Sequence, residues 1–206
     1  MSEDAKILPL RPLPASPPQA GPELARSQLD TLTDDELMRL STQNMRDAFA
    51  TLVSRYQQRV RSHCSKWTGD RALGDDLAQE IFGELWRTRE RYRPNARFAV
   101  YLFTIARNRC RNSRRDRRPT KPLEAEVPSG QPDQLQALLA AERQRRMDKE
   151  VGLLPEKLRE AVLFRFGQGL DYPQMAEILK CPQVTVRSRV FLGITKLRAA
   201  LKEETP

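Results

Sequence analysis

VTVRSRVFLGITKL, residues 184–197, places Val186, Val190, Ile194 and Leu197 at i, i+4, i+8 and i+11, the repeat of a helix that buries one face. Thr185, Arg187, Ser188 and Phe191 are left near its N-terminal, outward side. Just upstream, Tyr172–Leu179 holds Met175, Ile178 and Leu179 at helical spacing and runs into the breaker Lys180-Cys181-Pro182. The pair reads as helix, tight turn, helix. Asp171 suits the N-cap, and Pro173 is tolerated in a first turn, where its missing amide has no intrahelical partner to lose. Set in a major groove, the polar members of the second helix reach base edges and phosphates, and its N-terminus attracts phosphate. An ordinary amphipathic helix pair with a solvated charged face fits the same pattern, so the rest of the chain has to arbitrate.

The chain has 206 residues, a net charge of +9 and 39% hydrophobic residues. That length and apolar content suit two small helical domains better than one large core. The sequence pI of about 9.9 calls for an anionic partner, nucleic acid being the usual one, although charge alone does not separate DNA from RNA or an acidic membrane. The longest uncharged apolar run, Phe98–Ala106, falls far short of the roughly 18 to 20 residues that span a bilayer. The N-terminus lacks the charged start, apolar centre and cleavage site of a secretory signal, so a cytoplasmic protein is expected. Cys64, Cys110 and Cys181 are odd in number and widely spaced, with His63 the single histidine. No disulfide framework, zinc spacing, metal site or cofactor follows. A nucleophile or metal reading of His63-Cys64 needs a third ligand, and none lies nearby in sequence; buried, inert thiols are expected instead.

Residues 1–30 carry Pro9, Pro12, Pro14, Pro17, Pro18 and Pro22 with little apolar periodicity, the composition of a disordered tail. Order is expected from Thr33, which forms a capping-box pattern with Glu36. Phe49, Leu52, Val53, Tyr56 and Val60 then mark a longer helix that ends at the Trp67-Thr68-Gly69-Asp70 break. A third helix covers about Leu73 to Thr88, burying Leu77, Ile81 and Leu85, and a fourth about Phe98 to Arg115, after a loop at Arg93–Arg97. The stretch Pro119–Pro132 reads as a linker, followed by charged helices over Leu135–Val151 and Pro155–Phe166. No alternating strand pattern occurs, so the fold is expected to be all-α: domains at 31–118 and 135–206, joined by a flexible linker at 119–134.

The fourth helix ends in IARNRCRNSRRDRR, which holds seven arginines and one acid between residues 107 and 118. Such density is a footprint for phosphates. Asn108 and Asn112, at i and i+4, share a face within it, and amides that both donate and accept suit base edges. A solvated basic helix end is the alternative. Tyr92, Phe98, Tyr101 and Phe103 lie just upstream and offer faces for stacking unpaired bases, but Phe98, Leu102 and Ile105 also make a core stripe, which leaves Tyr101 and the Arg93–Arg97 loop for nucleic acid. Asp75, Asp76, Glu80 and Glu84 form an acidic ridge, with 76, 80 and 84 spaced four apart. A di-metal bundle would add a histidine and a second carboxylate helix. A docking surface for a basic partner, or a plain solvated face, remains.

In this order, AFATLVSRY (48–56), DDLAQEIFGELW (75–86), YLFTIARNRCRN (101–112), LPEKLREAVLFRF (154–166) and CPQVTVRSRV (181–190) resemble the sigma factors of bacterial RNA polymerase, specifically the compact extracytoplasmic-function group. The resemblance implies a protein that is not an enzyme, built from two helical domains called regions 2 and 4, with core RNA polymerase and promoter DNA as partners and an anti-sigma protein as a usual antagonist. It implies that Asp75, Asp76, Gln79 and Glu80 bind core polymerase. It places Arg93, Asn95, Arg97, Tyr101, Arg107, Asn108, Arg111, Asn112 and Arg115 at the −10 element, with the 93–97 loop capturing a flipped base. It places Thr185, Arg187, Ser188, Arg189 and Phe191 at the −35 element.

The chain also departs from the pattern. Tyr101 stands at the family's usual Trp, Gln174 at a common Glu and Val184 at a common Gly. Leu192 and Gly193 follow Phe191 where Arg and Ala are frequent, which removes a guanidinium suited to phosphate or guanine. A helix-turn-helix regulator acting without polymerase is the second reading; it accounts for residues 155–201 and leaves the acidic ridge without a purpose.

Overall fold

The computed structural model describes residues 26–93, 97–115 and 132–203. These form α1 (Arg26–Thr31), α2 (Asp34–Thr42), α3 (Arg46–Thr68), α4 (Arg71–Arg87), α5 (Phe98–Arg115), α6 (Pro132–Leu153), α7 (Glu156–Val162), α8 (Tyr172–Leu179) and α9 (Gln183–Glu203). A 3-10 turn at Arg89–Arg91 follows α4, and a π-helical turn at Leu163–Gly167 extends α7. Among the described residues the fold is all-α, in two helical clusters. Most of the expected tail and linker, Asn95 and the side chain of Arg115 lie outside the described residues.

Local chemistry accounts for the helix starts. Thr33 and Glu36 close a capping box on α2, Asp70 caps α4 through the Leu73 amide, and Asp171 forms a capping box with Gln174 on α8. Order begins earlier than Thr33. Six-residue α1 is held by tertiary contacts: Leu29 is buried, and Arg55 of α3 donates to the carbonyls of Asp30 and Leu32 and to Asp34. A helix that short is marginal by itself and leaves no periodic signal to read.

The first cluster packs α2, α4 and α5 around α3. Leu37, Phe49, Leu52, Val60, Ile81, Leu85, Leu102 and Phe103 are fully buried there. The chain turns between α3 and α4 at Gly69, whose φ of 75° is left-handed. Where the two helices approach, a Cβ on Gly74 would sit 2.6 Å from Ser65 Cα, so the close packing requires glycine at that position. The second cluster wraps α7, its π-helical turn and α8 against α9 around Phe164, Met175, Ile178 and Val186. Lys180 takes the left-handed conformation that turns α8 into α9. Helix α6 is largely exposed and leans on α3 through Lys66–Asp148 at 3.9 Å.

Candidate nucleic-acid interface

Helix α5 buries Phe98, Leu102, Phe103, Ala106 and Cys110, which turns Asn108, Arg111 and Asn112 outward. The two asparagines are exposed, one turn apart on one face. The arginines around them are not free cations. Arg107 grips buried Glu160 of α7 with two bonds, at 2.8 and 3.3 Å, and Arg111 pairs with Glu156 of the same helix at 3.0 Å. Both partners repeat at i, i+4, so two successive turns of α5 and α7 are matched in charge. Arg109 turns the other way, to Glu84 and, at 3.8 Å, Glu80 of α4.

At the head of α5 the loop between α4 and α5 is tied from both sides by Asp35, a residue with no evident role in the linear pattern. Its Oδ1 accepts from the Tyr92 hydroxyl and, at 2.8 Å, from the Phe98 amide. Burial and the Asp35 carboxylate raise the Tyr92 phenol above its ordinary range. Arg93 and Arg97 are exposed at the ends of this loop, and Arg97 reaches Asp171, the N-cap of α8, at 3.0 Å. Tyr101 is half-buried: its hydroxyl donates to the Thr88 carbonyl at 3.0 Å and its ring meets Tyr92 edge-on at 5.3 Å. It braces the corner between α4 and α5.

On α4, Asp76, Gln79 and Glu80 are exposed, whereas Asp75 turns back to α3, where Arg61 clasps both its oxygens at 2.7 Å. The Arg61 guanidinium holds the Asp75 carboxyl below the usual carboxylate range. The ridge therefore divides into an exposed part at Asp76, Gln79 and Glu80, of which Glu80 also lies 3.8 Å from Arg109, and a part spent on closer internal pairs, Asp75 and Glu84.

On α9, Val186, Val190 and Leu197 face the core. Arg187, Ser188 and Phe191 are exposed, Thr185 and Arg189 half-buried. The Arg187 guanidinium lies 5.1 Å over the Tyr172 ring of α8, which Arg165 also covers at 4.9 Å.

A contact between the clusters was not legible in the sequence. Arg59, His63 and Trp67, at i, i+4 and i+8 of α3, all meet the second cluster. Arg59 donates to the Gln168 carbonyl at 2.6 Å, and Arg159 lies over the Trp67 ring at 5.6 Å. The His63 ring stacks on Phe164 with centroids 4.9 Å apart and touches Phe103 edge-on at 5.9 Å. Burial pushes its pKa down to about 4, and Nδ1 has no hydrogen-bond partner among the described residues. Neutral His63 thus serves as an aromatic plate between two cores. Cys64 and Cys110 are buried beside it as free thiols, their sulfurs 3.7 Å apart. Among the described residues no three His, Cys, Asp or Glu side chains are grouped to hold a metal ion, and no helix is long and apolar enough to cross a membrane.

Residues 52–120 match Sigma-70 region 2, and residues 144–197 match Sigma-70, region 4. The chain is 31% identical to the ECF RNA polymerase sigma-E factor of Haemophilus influenzae, over 79% of this chain and 92% of that protein. The solved structure of CnrH in complex with the cytosolic domain of CnrY aligns with a TM-score of 0.67 at 23% identity, covering 84% of this chain and 99% of CnrH. The sigma factor RpoE of Bartonella quintana, solved in complex with the anti-sigma factor NepR, aligns with a TM-score of 0.58 at 21% identity over 76% and 98% of the two chains. These two likenesses establish the fold.

Proposed function

The chain belongs to the extracytoplasmic-function group of sigma-70 RNA polymerase sigma factors, and from that premise we propose a division of labour among its helices. As a member it directs transcription through core polymerase and promoter recognition, and it has no catalytic centre of its own. Residues 31–118 act as region 2 and residues 135–206 as region 4, on either side of a linker at 119–134. Helix α5 reads the −10 element through Asn108 and Asn112, with Arg93, Asn95, Arg97, Tyr101, Arg107, Arg111 and Arg115 along the strand. Helix α9 reads the −35 element through Thr185, Arg187, Ser188, Arg189 and Phe191. Asp76, Gln79 and Glu80 dock on core polymerase, and Asp75 fixes the α3–α4 pair beneath them.

The observation that carries this reading is the exposure of Asn108 and Asn112 on a helix whose apolar residues are buried. Base-reading amides are presented while the helix itself is held rigid. The carboxylates of Glu156, Glu160 and Asp171 hold Arg111, Arg107 and Arg97 in the closed arrangement. DNA phosphates would compete for the same guanidiniums, so separation of the two clusters accompanies promoter engagement. Two weak readers on one tether also raise each other's effective concentration. A protein antagonist that keeps the factor from polymerase, as the solved relatives' partners invite, and action in the cytoplasm complete the proposal.

The test is charge reversal on α4. Asp76→Lys with Glu80→Lys should abolish co-purification with core polymerase while leaving the fold intact, since both positions are exposed and Arg109, 3.8 Å from Glu80, keeps its closer partner Glu84. Retention of polymerase binding would overturn the assignment of this face. Retained promoter binding without any polymerase would favour a free helix-turn-helix regulator.

A further inference from the structure

On α9 the residues turned away from the core at i, i+3, i+4, i+7, i+8 and i+11 are Val184, Arg187, Ser188, Phe191, Leu192 and Thr195. Three of these six are large and apolar, with Val184 75%, Phe191 70% and Leu192 50% exposed. The helix cannot roll to hide them. Val186, Val190 and Leu197 are locked into the core, and Gly193 lies so close to α7 that a Cβ there would come within 2.6 Å of Val162 Cγ2. An apolar stripe on an open helix face calls for an apolar counterpart.

The polar capacity of the stripe is small. Thr195 donates its hydroxyl to the Phe191 carbonyl at 3.0 Å, and Arg187 is stacked over Tyr172. Among the described residues Ser188 makes no side-chain hydrogen bond, and Arg187 keeps its N–H donors for the −35 contact proposed above. Lys180, Arg187, Lys196 and Arg198 around it are exposed, which matches a polyanion better than an apolar protein groove.

In the major groove the bases present nitrogen and oxygen edges with one apolar exception, the methyl group on C5 of thymine. We infer that Val184, Phe191 and Leu192 make α9 a reader of C5-methylated pyrimidines, selecting a thymine-rich −35 element. This rests on the placement of α9 in the −35 major groove proposed above. Each methyl buried against the stripe strengthens binding about fourfold.

The test uses the full chain with core polymerase and promoter duplexes randomised over both elements. Recovered −35 sequences should be rich in thymine. Replacing thymine by uracil at single positions, which removes the methyl and nothing else, should weaken binding about fourfold at each contacted base. Placing 5-methylcytosine at those positions should restore binding relative to cytosine, separating the methyl from the rest of thymine's edge. Leu192→Ala and Phe191→Ala, both at exposed positions, should bind thymine and uracil duplexes alike, and Leu192→Arg should move the preference toward guanine. Thymine and uracil bound within twofold at every position would overturn the inference while leaving −35 recognition standing. Recovery of −10 sequences with no −35 preference would overturn the placement of α9 and the inference with it. Loss of polymerase affinity in Phe191→Ala and Leu192→Ala, with thymine discrimination unchanged, would make the stripe a protein-docking surface and also overturn it.

Discussion

Helices α5 and α9 are both long, basic and amphipathic, yet they hold their cations differently. On α5, Arg107, Arg109 and Arg111 each have a carboxylate partner from α4 or α7. On α9, Arg187, Arg189, Lys196 and Arg198 form no ion pair among the described residues, and the outward face is apolar along much of its length. Density of positive charge in a sequence therefore does not measure positive charge offered to DNA. On α5, Arg107 and Arg111 are compensated from α7 and would be freed by the opening proposed above, Arg109 stays paired with α4 inside its own cluster, and on α9 the charge frames a surface already open.

The largest expected effect comes from breaking the α5–α7 match. Arg107 and Glu160 are 12% and 3% exposed, and removing one partner of a buried pair costs about 3–5 kcal/mol. Glu160→Ala should shift the chain toward the open arrangement, read as an increased distance between fluorophores on α3 and α9. An unchanged distance would show that the pair does not hold the clusters together. Next, Asn108→Ala should weaken −10 duplex opening by about 1–3 kcal/mol, followed with a fluorescent base in the element, while holoenzyme assembly is unaffected. Equal loss of assembly would move Asn108 from reader to structural residue.

A smaller effect belongs to His63. Its pKa in the folded chain, about 4, lies below the ordinary 6.5. The closed form therefore keeps a neutral ring, and an open or unfolded form takes up a proton as pH falls below 6.5. Stability from this group is present above pH 6.5 and is lost progressively toward pH 4, about 1 kcal/mol of it between pH 7 and 5.5. Urea titrations across that range should show the loss, and His63→Phe should flatten it. The smallest effect is expected at Glu156, whose pair with Arg111 is 40% and 47% exposed. Glu156→Ala should cost no more than about 1 kcal/mol and fade with salt. A Glu156 effect equal to that of Glu160 would erase the distinction between buried and exposed pairs.

The helices themselves were largely legible. Tyr172–Leu179 has the expected bounds, and Leu77, Ile81 and Leu85 are buried as their spacing predicts, because a 3.6-residue repeat needs only local sequence. Thr33 and Asp171 cap as expected for the same reason. Less legible was the use of individual polar side chains. Asp75 shares the acidic pattern of Asp76 but is turned into a bidentate pair with Arg61, and Tyr101, expected to offer a stacking face, spends its hydroxyl on Thr88. Asp35 carried no signal at all, although it fastens both ends of the loop before α5.

By itself the sequence determined the all-α class, the two helical units, the family and the outward position of Asn108, Asn112 and Phe191. All of these follow from periodicity, capping and motif order, which are written in the linear order and local spacing of residues. Tertiary structure alone decided which arginines are compensated, since the Arg107–Glu160 and Arg97–Asp171 partners lie 53 and 74 residues apart. It also decided that the single histidine is a buried plate between two cores and that Gly193 fixes the roll of α9. Ion pairing and burial depend on distances of a few ångströms between chain segments, and a linear pattern holds no record of them.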